Sequence, residues 1–75
     1  MTNSKIIVIG SGGHAKVVCD SLLQMGRQPE FCTDFVEQRW GERVLDVLVK
    51  GSDDLIDSYD PEDILLANGI ASVKD

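Results

Sequence analysis

The sequence predicts an α/β fold: a small Rossmann-like three-layer domain with a short, mostly parallel sheet. Three observations predict it. Ile6, Ile7, Val8 and Ile9 form an unbroken β-branched run, which suits a strand buried on both faces of a parallel sheet. Gly10, Gly12 and Gly13 interrupt that run, after which the apolar positions take helical spacing at Ala15, Val18, Cys19 and Leu22. Two further short apolar runs, near residues 31–33 and 64–67, are separated by polar and turn-forming stretches, so strands alternate with other elements.

Taken in order, residues 1–4 are expected as a frayed leader, with Lys5 opening the first strand. The helix is expected from about residue 13 to residue 24 or 25. Ser11 is a candidate cap at its start, Gly26 suits a left-handed cap at its end, and Pro29 cannot continue it. Residues 30–35 read as the second strand, carrying Phe31, Cys32 and Thr33 and ending at Asp34. Residues 36–43 are polar and aperiodic and read as a loop, with Trp40 and Gly41 at a turn and the indole covering a core edge. A short strand is expected within 44–49. Ser52 followed by Asp53 and Asp54 starts a short helix, expected over 53–59. Asp60 and Pro61 break it, residues 64–67 read as a buried strand, and Asn68 and Gly69 end that strand. Residues 70–75 read as the start of an element left incomplete, so a chain truncated after residue 75 is expected.

Seventy-five residues make one domain, which by general scaling buries only about 60% of its unfolded surface. Hydrophobic residues make up 43% and aromatics 5%, so aliphatic side chains must build the core. The net charge of −6 is carried by the last third: residues 1–50 hold six Lys/Arg and six Asp/Glu, residues 51–75 one Lys and seven acids. With no basic patch and no basic amphipathic stretch, neither nucleic acid nor a membrane surface is an expected partner. No transmembrane run and no signal-type N-terminus is present in the sequence, which points to a cytoplasmic protein. Cys19 and Cys32 are then expected as buried free thiols.

The glycine turn carries the chemistry. Amides at the start of a helix lack intrahelical partners and the helix dipole favours negative charge there, so the turn is suited to an anion. Gly10, Gly12 and Ala15 fit G-x-G-x-x-[GA], in which small residues let a pyrophosphate approach the backbone. Parallel strands put the three carboxyl ends on one edge, bringing together Gly10, Ser11, Gly12, Gly13 and His14, then Asp34, then Asn68 and Gly69. Each has a structural alternative: glycines needed only for packing, a histidine bonded to a loop, an acid that ends its strand, an ordinary Asn-Gly turn. The acids of 53–63 lack calcium-loop spacing and read as a solvated face, and there is no nucleophile elbow, phosphate-binding lysine motif or zinc-ligand spacing. No metal and no catalytic residue is expected in this chain.

Two stretches go beyond the generic fingerprint: KIIVIGSGGHAKVVCDSLL at the start and DILLANGIAS near the end, with GSDDL between them. Together they resemble the N-terminal domain of bacterial sugar acetyltransferases, the family of sialic acid O-acetyltransferases and nucleotide-amino-sugar N-acetyltransferases. The resemblance implies a domain that binds a nucleotide-activated sugar, followed by a trimerising left-handed β-helix of hexapeptide repeats. That second domain would take acetyl-CoA as co-substrate and carry the catalytic histidine, so His14 is not assigned that role. It also implies substrate contacts at Gly10, Ser11, Gly12, Gly13, His14, Asp34, Asn68 and Gly69, and a homotrimer for the full-length protein, with the isolated domain a monomer or weak dimer. Where relatives carry G-x-P-V-x-G, this chain reads Leu45 to Gly51. The rival readings are an NAD-type dinucleotide-binding fragment of an oxidoreductase, with Asp34 on the adenosine ribose, and an interaction domain without a ligand.

Overall fold

Val8 is fully buried on an inner strand of the sheet. Its strand, β1 (Lys5–Ile9), pairs in parallel with β2 (Phe31–Thr33) on one side and β5 (Ile64–Asn68) on the other. A computed structural model describes residues 4–70. Beyond β2 lie β4 (Val47–Gly51), also parallel, and β3 (Arg43–Val44), antiparallel to β4, giving the order β3-β4-β2-β1-β5. The chain is therefore α/β, with a five-stranded, mostly parallel sheet.

Side-chain alternation along the strands sorts residues onto two faces. Val8, Cys32, Val49 and Ala67 lie in one row across the register, and the single described α-helix, α1 (Gly13–Gln24), lays Ala15 and Cys19 on it. These are small or β-branched residues, so the helix approaches closely and the cluster is almost fully buried. Cys19 Sγ lies 3.7 Å from Cys32 Sγ, and both thiols are free. Burial pushes the Cys19 thiol up, and burial together with its neighbour pushes Cys32 up to about 12, so both stay protonated. On the opposite face Phe31 meets Tyr59 with ring centroids 6.0 Å apart, and Lys50 Nζ lies 5.1 Å from the Phe31 centroid.

The helix has the expected bounds but a different start. Gly12 is its N-cap and makes no side-chain cap, because the Ser11 hydroxyl is directed to Asp34 instead. At its end Gly26 takes φ +76°, Arg27 N donates to Leu22 O at 2.9 Å and Gly26 N to Leu23 O at 3.0 Å, a Schellman closure.

Four expectations are corrected. The second strand is shorter than 30–35, spanning Phe31–Thr33, with Asp34 N making one last bond to Gly51 O of β4 at 2.9 Å. The single strand expected within 44–49 is a hairpin, because Leu45 (φ +51°) and Asp46 (φ +71°) turn the chain back between β3 and β4. Residues 53–58 form a 3₁₀-helix instead of an α-helix. Its Ser52 cap is as expected, Ser52 Oγ accepting from Asp54 N at 3.4 Å, and a second 3₁₀ turn, Pro61–Asp63, follows a cap by Asp60. Of the helical layers expected around the sheet, the described residues thus supply one, with 3₁₀ segments between β4 and β5. Finally, β5 is not buried: Leu65 is 52% and Leu66 55% exposed, because β5 pairs with β1 on one side alone among the described residues. Residues 1–3 of the expected leader and 71–75 of the expected last element lie outside the described residues.

The hairpin yields a test. Leucine at positive φ costs about 1–2 kcal/mol, whereas aspartate tolerates that region and glycine adopts it freely. Replacing the pair by Leu45→Asn with Asp46→Gly is expected to raise the urea midpoint without changing the denaturant slope. A midpoint that stays or falls would mean that the turn is not strained.

Candidate functional site

The crevice begins where β1 and β5 part. Gly69 N donates to Ile9 O at 2.8 Å, and a Cβ on Gly69 would lie 2.6 Å from that oxygen and 2.9 Å from the Ala15 Cβ. Gly10 has φ +101°, and a Cβ there would meet Ile70 Cγ1 at 3.0 Å and Gly69 O at 3.1 Å. These two glycines let the ends of adjacent strands touch. Gly12 and Gly13 differ, for a Cβ at either would meet nothing within 4 Å. Packing does not require glycine at these two positions, and both line the open space above the sheet.

That space is a cavity of about 400 Å³ at the carboxyl ends of the strands. Gly10, Ser11, Gly12, Gly13 and His14 line it from the first turn, Thr33, Asp34, Phe35, Val36 and Arg39 from the end of β2 and the loop beyond, Asp53 from the end of β4, and Gly69 and Ile70 from the end of β5. The chain runs outward from β1 to β2 and β4 on one side and then returns to β5 on the other, so strand order reverses at the β1/β5 boundary, where ligands of open α/β sheets bind. Of the expected site residues, Gly10 to His14, Asp34 and Gly69 are brought together. Asn68 is not in the lining; its carboxamide oxygen accepts from Ile70 N at 2.9 Å and shapes the turn.

Asp34 is the centre of the polar wall. Its side chain is 12% exposed; one oxygen accepts the Ser11 hydroxyl and the other the Val36 amide at 2.8 Å. Arg39 Nε lies 3.7 Å from Asp34 Oδ2 and 3.8 Å from Glu42 Oε1, while Arg39 Nη2 donates to Ser11 O at 2.9 Å. Burial acts to raise the Asp34 pKa, but the Ser11 hydroxyl, the Val36 amide and the Arg39 charge outweigh it and hold the carboxyl below its ordinary value. Trp40 Nε1 donates to Asp34 O at 2.7 Å, so the indole ties the loop to the site from outside the cavity. Thr33 Oγ1 donates to Asp53 Oδ1 at 2.6 Å, which brings a second carboxylate to the wall.

Sequence reasoning missed Arg39, Thr33 and Asp53. The signal for the last two was their place at strand ends, since both follow apolar runs on the same sheet edge. Arg39 carried none, because only the fold of the loop brings it to Ser11.

No helix among the described residues is long and apolar enough to cross a membrane. The sequence model of one protein family, described as the PglD N-terminal domain, matches residues 5–74. Comparison with curated proteins and with solved structures found no match.

The Asp34 cluster has a pH signature. The folded carboxyl lies below its unfolded value of about 3.9, so its ionised contacts stabilise the fold above that pH and are lost as pH falls through the folded value. Urea midpoints measured from about pH 5 down to about pH 2.5 are expected to drop more steeply for the wild-type chain than for Asp34→Asn. Parallel curves would show that Asp34 contributes nothing to the acid sensitivity.

Proposed function

The chain belongs to the PglD N-terminal domain family, the N-terminal domain of PglD-type sugar acetyltransferases, and from that premise we propose that it binds the nucleotide part of a nucleotide-activated sugar in the crevice above β1. The observation that carries this reading is the open space at Gly12 and Gly13. If the turn served packing alone, all three of its glycines would be crowded; instead Gly10 alone is crowded, while Gly12 and Gly13 have open space on the cavity side. A phosphate at those positions would meet the unpartnered amides that open α1 and the positive end of its dipole. Asp34, acceptor-rich at the end of β2, suits a ribose hydroxyl.

The strand order supports a Rossmann-like reading of the sheet, with the β1/β5 boundary as its switch point. In this proposal the domain presents the sugar to an acetyl-CoA-dependent acyltransferase domain, a hexapeptide-repeat β-helix that assembles as a trimer. None of the residues lining the crevice is assigned the acyl transfer. The setting is glycan biosynthesis in the cytoplasm.

The test is a titration of the chain with UDP, CMP and NAD, followed by amide chemical shifts, on wild type and Gly12→Val. Saturable shifts at Gly12, Gly13 and His14 are expected with one sugar-carrier nucleotide. Gly12→Val is expected to weaken that binding at least about tenfold while the chain remains folded, because a Cβ there meets no protein atom within 4 Å and the larger side chain occupies the phosphate space. Preference for NAD would transfer the site to a dinucleotide, and equal affinity in the valine variant would remove the turn from it.

A further inference from the structure

Phe35 is the side chain that the fold leaves unexplained. It is 91% exposed, the most exposed of the large apolar residues described, yet it lines the crevice. A single exposed apolar residue on a loose loop would call for no account, but the backbone around Phe35 is pinned on both sides. Asp34 N donates to Gly51 O at 2.9 Å, Val36 N to Asp34 Oδ1 at 2.8 Å, and Trp40 Nε1 to Asp34 O at 2.7 Å. Three hydrogen bonds therefore hold an aromatic ring outward at the cavity mouth. Its ring makes no aromatic or cation–π pair among the described residues, whereas Phe31, four positions earlier, makes both.

The charges of the crevice set the direction in which a ligand lies. The glycine turn presents amides and favours an anion, while Asp34 and Asp53 present carboxylates, which repel an anion and accept O–H and N–H donors. Resting on the nucleotide reading given above, we infer that Phe35 is the platform on which the nucleotide base stacks, with the ribose at Asp34, the phosphates at Gly12 and Gly13, and the sugar toward Gly69. A base attached to a ribose at Asp34 falls beside the next residue, which is Phe35. Asp53, fixed by the Thr33 hydroxyl, supplies an acceptor on the same wall for a base N–H. The site thereby selects a base-bearing ligand over a simple sugar phosphate.

The experiment uses the chain saturated with whichever of UDP or CMP binds it. Nuclear Overhauser contacts between the H5 and H6 protons of the base and the Phe35 ring are expected, and Phe35→Ala is expected to weaken binding about tenfold to a hundredfold. Phe35→Tyr is expected to keep wild-type affinity. Because the ring is exposed, the alanine variant should melt with the wild type, which separates loss of binding from loss of fold. Saturated complex without those contacts, or unchanged affinity in Phe35→Ala, overturns the base platform and leaves the nucleotide reading standing. Failure of both nucleotides to saturate the wild-type chain overturns that reading, and the platform with it.

Discussion

The contact between Gly69 and the end of β1 is the constraint on which the crevice depends. Parallel strands cannot share a tight turn, so their carboxyl ends meet only if the connecting residues leave room. Here the Gly69 amide reaches Ile9 O at 2.8 Å while the chain leaves β1 through Gly10 at φ +101°. A side chain at Gly69 would strike the Ile9 carbonyl, Val8 and Ala15 at once, pushing β5 from β1 and lifting α1 from the sheet. The closeness of the strands, the seating of the helix and the depth of the cavity therefore rest on one absent methyl group. Gly10 and Gly69 serve the frame, which leaves Gly12 and Gly13 to face whatever enters it.

Asp34 performs the second task, tying a loop to that frame. β2 ends at Thr33, and the loop beyond, 34–42, has one short 3₁₀ turn, Glu37–Arg39, to organise it. One carboxylate gathers the Ser11 hydroxyl, the Val36 amide and the Arg39 charge, and Arg39 returns to Ser11 O, closing a ring between loop and glycine turn. The cost of burying this charge is offset by donors on both oxygens, which is the condition under which a largely buried carboxylate stays ionised. A ligand hydroxyl approaching Asp34 thus meets an acceptor already oriented, with no side chain left to order.

How much of this is written in the sequence depends on the range of the interaction. β1 and α1 have their expected bounds because a β-branched run, a glycine turn and a helical repeat are local signals, and Gly26 closes the helix through bonds to its own last turn. The β3–β4 hairpin was hidden, since Leu45 adopts positive φ with a side chain that disfavours it and no glycine follows in the turn, so the sheet around it overrides its preference. Composition likewise could not tell that Ile64, Leu65, Leu66 and Ala67 occupy an outer position in the strand order, where two leucines stay half exposed. In the site, the glycine turn and Asp34 were legible from the order of elements. Arg39 was not, because it reaches the cavity only where its loop folds back on Ser11, 28 positions away in sequence.

Charge decides what kind of binding such a crevice can support. The chain carries −6 overall, and the lining sets Asp34 and Asp53 against Arg39 as the fixed charges of the cavity wall. Arg39 is itself committed to Asp34, Glu42 and Ser11 O, so little of its charge is available to an incoming phosphate. An anion is then drawn by no long-range field and must be held by amides and a helix end, whose attraction fades within about a turn. Attraction of that kind is weak at a distance and specific at contact. In the proposed reading, such a site would gain its affinity from the neutral parts of a nucleotide, hydroxyls at Asp34 and a base at Phe35, and would use the phosphate to fix position.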